Sequence, residues 1–204
     1  MKNVGGPHLS RLAVVVCAVI ACPTVAEAHL YATGMGPVYD GLMHFLASPE
    51  DVAPVLALAL LAGLRGADHG RRAMFVLPAA WLLGGLLGTM ASATSGSAVL
   101  AAIWVLVLGG LLAADAKLSL GVTTALAVLL GLSRGYLNGS GMGQLYVAAL
   151  AFLALVSAVF VLVALAAAVV VPLRAHWARI VVRVAGSWIA ASGLLMLGWA
   201  VRAR

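Results

Sequence analysis

Apolar residues along this chain gather into long blocks separated by short polar gaps. The blocks cover 49–64, 73–91, 98–114, 118–133, 143–171 and 180–201. A helix needs about 20 predominantly apolar residues to cross the hydrocarbon core of a bilayer. The pattern therefore predicts an all-α, polytopic membrane protein of about six transmembrane helices. The first and fourth blocks are short for a span, and the fifth is long enough to tilt or to emerge from the bilayer.

A shorter apolar run, Leu12 to Cys22, precedes these blocks, and its 11 residues are too few to span. Lys2 and Arg11 give it a basic start, and Ala26-Glu27-Ala28 supplies a small-x-small cleavage site. Residues 1–28 thus read as a signal peptide cleaved after Ala28, and 29–204 as a single transmembrane domain, with an uncleaved anchor as the alternative. Cys17 and Cys22 both fall in the removed segment. The mature chain then has no disulfide, thiolate site or iron–sulfur cluster.

Composition agrees with the block pattern. Of the 204 residues, 64% are hydrophobic and 9% charged, where a soluble domain carries about a quarter charged residues. This excludes a water-soluble enzyme. The basic residues sit at span ends and form no stripe interleaved with aromatics, which excludes nucleic acid as a partner and leaves the lipid bilayer. With an exported mature amino terminus, Arg65, Arg71, Arg72, Lys117, Arg174, Arg179 and Arg183 fall inside, and only Arg134, Arg202 and Arg204 outside. That split obeys the positive-inside rule and puts both mature termini on the periplasmic or outer side.

The interior of the spans is chemically sparse. Gly84, Gly85 and Gly88, and likewise Gly109-Gly110, offer small faces for close helix packing. Leu61-Ala62-Gly63-Leu64-Arg65-Gly66 faintly echoes Leu130-Gly131-Leu132-Ser133-Arg134-Gly135, which is compatible with two inverted three-span halves. No ionisable residue falls near the middle of a span, which disfavours a strongly coupled pump. The hydroxyls of Thr123, Thr124, Ser157, Ser187 and Ser192 are expected to bond carbonyls one turn back. Ser140 lacks a histidine base in a later span, so intramembrane serine hydrolysis is excluded; Asn138-Gly139-Ser140-Gly141 reads as a flexible outer loop. The tryptophans suit interface or packing roles.

Candidate chemistry gathers ahead of the first span, at His29, Asp40, His44, Glu50 and Asp51, with Met35 and Met43 nearby. Imidazole and carboxylate together suit nickel, cobalt or zinc, and thioethers add affinity for copper(I). The same acids also suit a helix start: Ser48 as N-cap, Pro49 in the first helical position, Glu50 and Asp51 in the first turn. In one continuous helix His44 and Asp51 would stand about 10 Å apart, too far for one ion. Pro49 disfavours helix at Ser48, so a bend folds His44 back over the entrance. Cleavage after Ala28 would make His29 the amino terminus, an amine and ring nitrogen together. Asp68-His69 lies among basic residues and reads as a solvated turn.

The signal ending in Ala28-His29, the segment Gly41-Leu42-Met43-His44, the acidic lead into the first span and the run Phe75-Val76-Leu77-Pro78-Ala79-Ala80-Trp81-Leu82-Leu83-Gly84 resemble the HupE/UreJ family. The resemblance extends over the whole mature chain and implies a six-span inner-membrane nickel or cobalt permease, linked to hydrogenase, urease or another metalloenzyme system. The family's entrance motif is His, five residues, then Asp-His; here His44 is followed by five residues and Glu50-Asp51. Its later histidine-rich segment matches Ser133-Arg134-Gly135-Tyr136-Leu137-Asn138-Gly139, which holds no histidine. Arg134 thus puts a fixed cation where a ligand is expected.

These readings imply a metal permease with outward capture at His44, Glu50, Asp51, Asp40 and His29, no tightly bound cofactor, and nickel or cobalt as the transported divalent ion, with copper a further candidate. The alternative is a non-transporting membrane partner that assists assembly or anchoring of a metalloenzyme.

Overall fold

The structure is a computed structural model and describes residues 34–90, 97–140, 145–173 and 175–202. Among them are seven helices and no strand: α1 (Pro37–Ala47), α2 (Pro49–Arg65), α3 (Ala67–Thr89), α4 (Ala98–Ala113), α5 (Leu120–Ser140), α6 (Leu145–Val170) and α7 (His176–Arg202). The expected signal peptide, its cleavage site, both cysteines, His29, Arg174 and Arg204 lie outside the described residues. Helices α2 to α7 follow the six apolar blocks. By length and composition four helices can cross a membrane, or five if α1 and α2 form one bent span, against about six expected from sequence; α4 is apolar but shorter.

The break between α1 and α2 is built by two adjacent residues. Pro49 has no amide hydrogen to continue α1 and disfavours helical backbone at the residue before it; Ser48 accordingly takes φ −99°, ψ 92°. The helix axes bend by 73° there. Ser48 occupies the N-cap position of α2, but its hydroxyl donates to the His44 carbonyl at 2.6 Å and does not cap α2 as expected. Because this bond closes the last turn of α1 over the bend, Ser48→Ala is expected to lower stability by about 1 kcal/mol in thermal unfolding of the detergent-solubilised protein.

Helix α1 is held down by shape as well. A side chain on Gly41 would run into the Ala151 backbone of α6. Four residues on, Phe45 is fully buried and meets Trp81 of α3 edge to face, ring centres 6.3 Å apart. Helix α2 is the hub and touches every other helix. Val55, Leu58 and Leu61 on it are fully buried.

Two tight helix pairs flank this hub, α3 with α5 and α4 with α7. Gly84 and Gly88 of α3 lie against the α5 backbone at Leu132 and Tyr136, while Gly131, Gly135 and Gly139 of α5 lie against α3 at Leu77, Trp81 and Gly85. Gly109 packs on Ala190 of α7 as expected, and Gly186 and Gly193 return the fit against α4; Gly110 faces open space and does not share in it. The echo between the two six-residue segments does not extend to structure. Leu61–Arg65 end α2 before the break at Gly66, whereas 130–135 lie inside α5.

The hydroxyls behave as expected. Thr123, Thr124, Ser157, Ser187 and Ser192 each donate to the carbonyl four residues back. At the carboxyl end of α2, Arg65 pairs with Asp115, which follows α4, and Arg179 of α7 reaches the other Asp115 oxygen at 3.3 Å. Asp68 and His69 form part of the first turns of α3 instead of a loop, with Asp68 paired to exposed Arg71 at 2.5 Å.

Candidate functional site

The bend carries α1 across the amino-terminal end of α2, and α5 completes the same end of the bundle. Glu50 and Asp51 lie in the first turn of α2, where the helix dipole favours carboxylates. Asp51 points inward and is 1% exposed, while Glu50 is partly open. His44 sits in the last turn of α1. Asp40 lies one turn earlier on the same face.

These groups are joined by two residues of α5. Arg134 donates from Nε to Asp51 Oδ1 at 2.5 Å, and its Nη2 stands 4.0 Å from Glu50 Oε1. Asn138, one turn further along, donates from Nδ2 to Asp51 Oδ2 at 3.2 Å and to the Arg134 carbonyl at 2.9 Å. Its Oδ1 is 2.9 Å from His44 Nε2. An amide oxygen only accepts, so His44 must present Nε2–H, and the lone pair of the neutral ring falls on Nδ1. His44, which an unbroken helix would hold about 10 Å from Asp51, is thus linked to Glu50 and Asp51 through one arginine and one asparagine.

Two expectations change here. Helix α5 runs to Ser140, seven residues beyond the predicted span end, so Asn138, Gly139 and Ser140 are its last turn and not a loop. Arg134 consequently lies six residues, about 9 Å, inside the helix and is buried, which corrects its assignment to the outer loop. Ser140 Oγ donates to Leu137 O at 3.0 Å. Among the described residues, no three His, Cys, Asp or Glu side chains gather as a group able to hold a metal ion. His44 and the two acids share their network with Arg134 and Asn138 instead.

A family model described as HupE / UreJ protein matches residues 17–196. The chain belongs to the HupE/UreJ family. Comparison with curated proteins and with solved structures gives no match. Its apolar helices and its family together make this HupE/UreJ chain a multi-pass membrane protein. Both departures from the family pattern noted in the sequence fall in this one network. Asp51 stands at the second imidazole position of the entrance motif, Arg134 and Asn138 in the later histidine-rich segment, and the structure sets all three in hydrogen-bond contact. Sequence reasoning missed Asn138 and the pairing of Arg134. The usable signal was their spacing of four on one helix face, matching the spacing of Asp40 and His44.

Proposed function

We propose that this protein is an inner-membrane transition-metal permease of the HupE/UreJ type, taking nickel or cobalt at an outward-facing entrance. The observation that carries the reading is the 73° bend, which brings an imidazole, His44, and two carboxylates, Glu50 and Asp51, to one end of a membrane-spanning bundle. Imidazole with carboxylate suits divalent nickel, cobalt or zinc, and the acid-rich set is less selective for nickel than paired imidazoles. Asp40 extends the entrance along α1, and His29 would join it as the mature amino terminus. Arg65, Arg71, Arg72 and Lys117 then lie on the cytoplasmic side, in keeping with the positive-inside rule.

In cells lacking other carriers, expression is expected to raise nickel or cobalt accumulation several-fold. His44→Ala should remove the gain, whereas Asp68→Ala, which breaks only an exposed pair at the opposite end, should leave it intact. Absence of accumulation of nickel, cobalt and copper alike would overturn the permease reading. It would favour the second one, a membrane partner that assists or anchors a metalloenzyme, such as a hydrogenase or urease. One observation supports that alternative: both oxygens of Asp51 are already engaged, by Arg134 and by Asn138.

A further inference from the structure

We propose that Arg134 is the built-in counter-ion of the entrance carboxylates and sets the affinity of the entrance by competing with the incoming divalent cation; this rests on the capture reading above. The competition follows from charge and burial. Side chains of Asp51 and Arg134 are 2% and 8% exposed, and Glu50 is 32% exposed. Asp51 and Glu50, the two carboxylates paired with Arg134, carry together with its guanidinium a single negative charge. Adding a divalent ion beside the guanidinium would reverse that to a net positive charge in a poorly hydrated place, which burial penalises strongly. The guanidinium cannot shed its charge by deprotonation. A divalent ion therefore gains Asp51 only by displacing Arg134.

Access is graded by the same network. Glu50, the more open of the two carboxylates paired with Arg134, and His44 through Nδ1 offer the first ligands, since Nε2 is committed to Asn138. Asp51 comes last, because its two oxygens are held by two different side chains of α5. Arg134 is thus a specificity-setting residue that weakens capture of cations too poorly coordinating to break a charge-assisted hydrogen bond.

The full chain, purified in detergent, tests this by calorimetric titration with nickel and separately with cobalt. Arg134→Gln is expected to bind at least about tenfold more tightly than the wild type, the loss of one charge-assisted competitor. Arg134→Lys, the variant to rely on if the glutamine protein does not fold, keeps a charge but cannot reproduce the Nε bond; roughly threefold tighter binding is expected. Wild-type binding with neither variant tighter would overturn the role of Arg134 and leave the capture reading standing. Binding by the variants alone would uphold the role of Arg134 and sink capture by the natural chain. No binding by any of the three would sink both.

Discussion

Gly135→Val is expected to abolish recovery of folded, monodisperse protein, or to cost more than about 3 kcal/mol where some is recovered. A Cβ at this position would lie 2.9 Å from Trp81 Cα and nearer still to the Trp81 carbonyl oxygen. Those atoms are backbone and cannot turn aside. They also belong to a continuous seam, because Gly84 and Gly88 return the approach from α3 and Gly131 and Gly139 continue it along α5. Within a bilayer there is no hydrophobic drive between helices, so an α3–α5 pair depends on this close packing. Relieving the clash means separating the two helices along their length, and Arg134 and Asn138 would move with α5. The control is Gly110→Ala, whose added methyl meets nothing within 4 Å; it should be neutral or stabilising by up to about 1 kcal/mol, as alanine favours helix over glycine. Thermal unfolding followed by circular dichroism distinguishes the two, and a Gly135→Val protein within 1 kcal/mol of wild type would remove the seam from the account.

The helices were legible because apolar blocks report burial in lipid or protein wherever the residues end up. The bend was legible too, since Pro49 acts on its immediate neighbour Ser48. The end of α5 was not. Asn138, Gly139 and Ser140 have the composition of a turn, yet they continue the helix, and position 139 is glycine there because the backbone at Gly85 leaves no room for a side chain. Composition records what a residue tolerates, and here the tolerance serves contact with another helix. Gly110 shows the converse error: it resembles Gly109 in sequence but faces open space, since one helical step of 100° separates facing a partner from missing it. At the entrance the individual ligands were legible from their chemistry. The tie between Asp51 and Arg134 was not, because 83 residues separate them and only the α3–α5 seam and the α2 hub bring them together.

That tie yields the second large effect. Asp51→Asn leaves a buried guanidinium with only Glu50, 4.0 Å away, as its counter-charge, and Arg134→Gln leaves a buried carboxylate without its cation. Each is expected to cost about 3–5 kcal/mol in the absence of metal, the usual cost of breaking a buried pair from one side. The double variant Asp51→Asn/Arg134→Gln leaves two neutral amides that hydrogen-bond to each other or to Asn138, so it should recover most of the loss, with a coupling energy above about 2 kcal/mol. Chemical or thermal unfolding of the four proteins supplies the cycle. Additive losses would mean that the two side chains are stabilised by separate surroundings, and the ion pair would then have no part in holding α2 to α5. Recovery close to wild type has a sharper consequence, because a pair that neutral amides replace at little cost is not kept for stability. Nickel or cobalt added to Arg134→Gln alone should then raise its unfolding temperature more than that of the wild type, since a ligand stabilises the folded state in proportion to how tightly it binds there. The freed Asp51 would regain from the metal the counter-charge that Arg134 supplies in the natural chain.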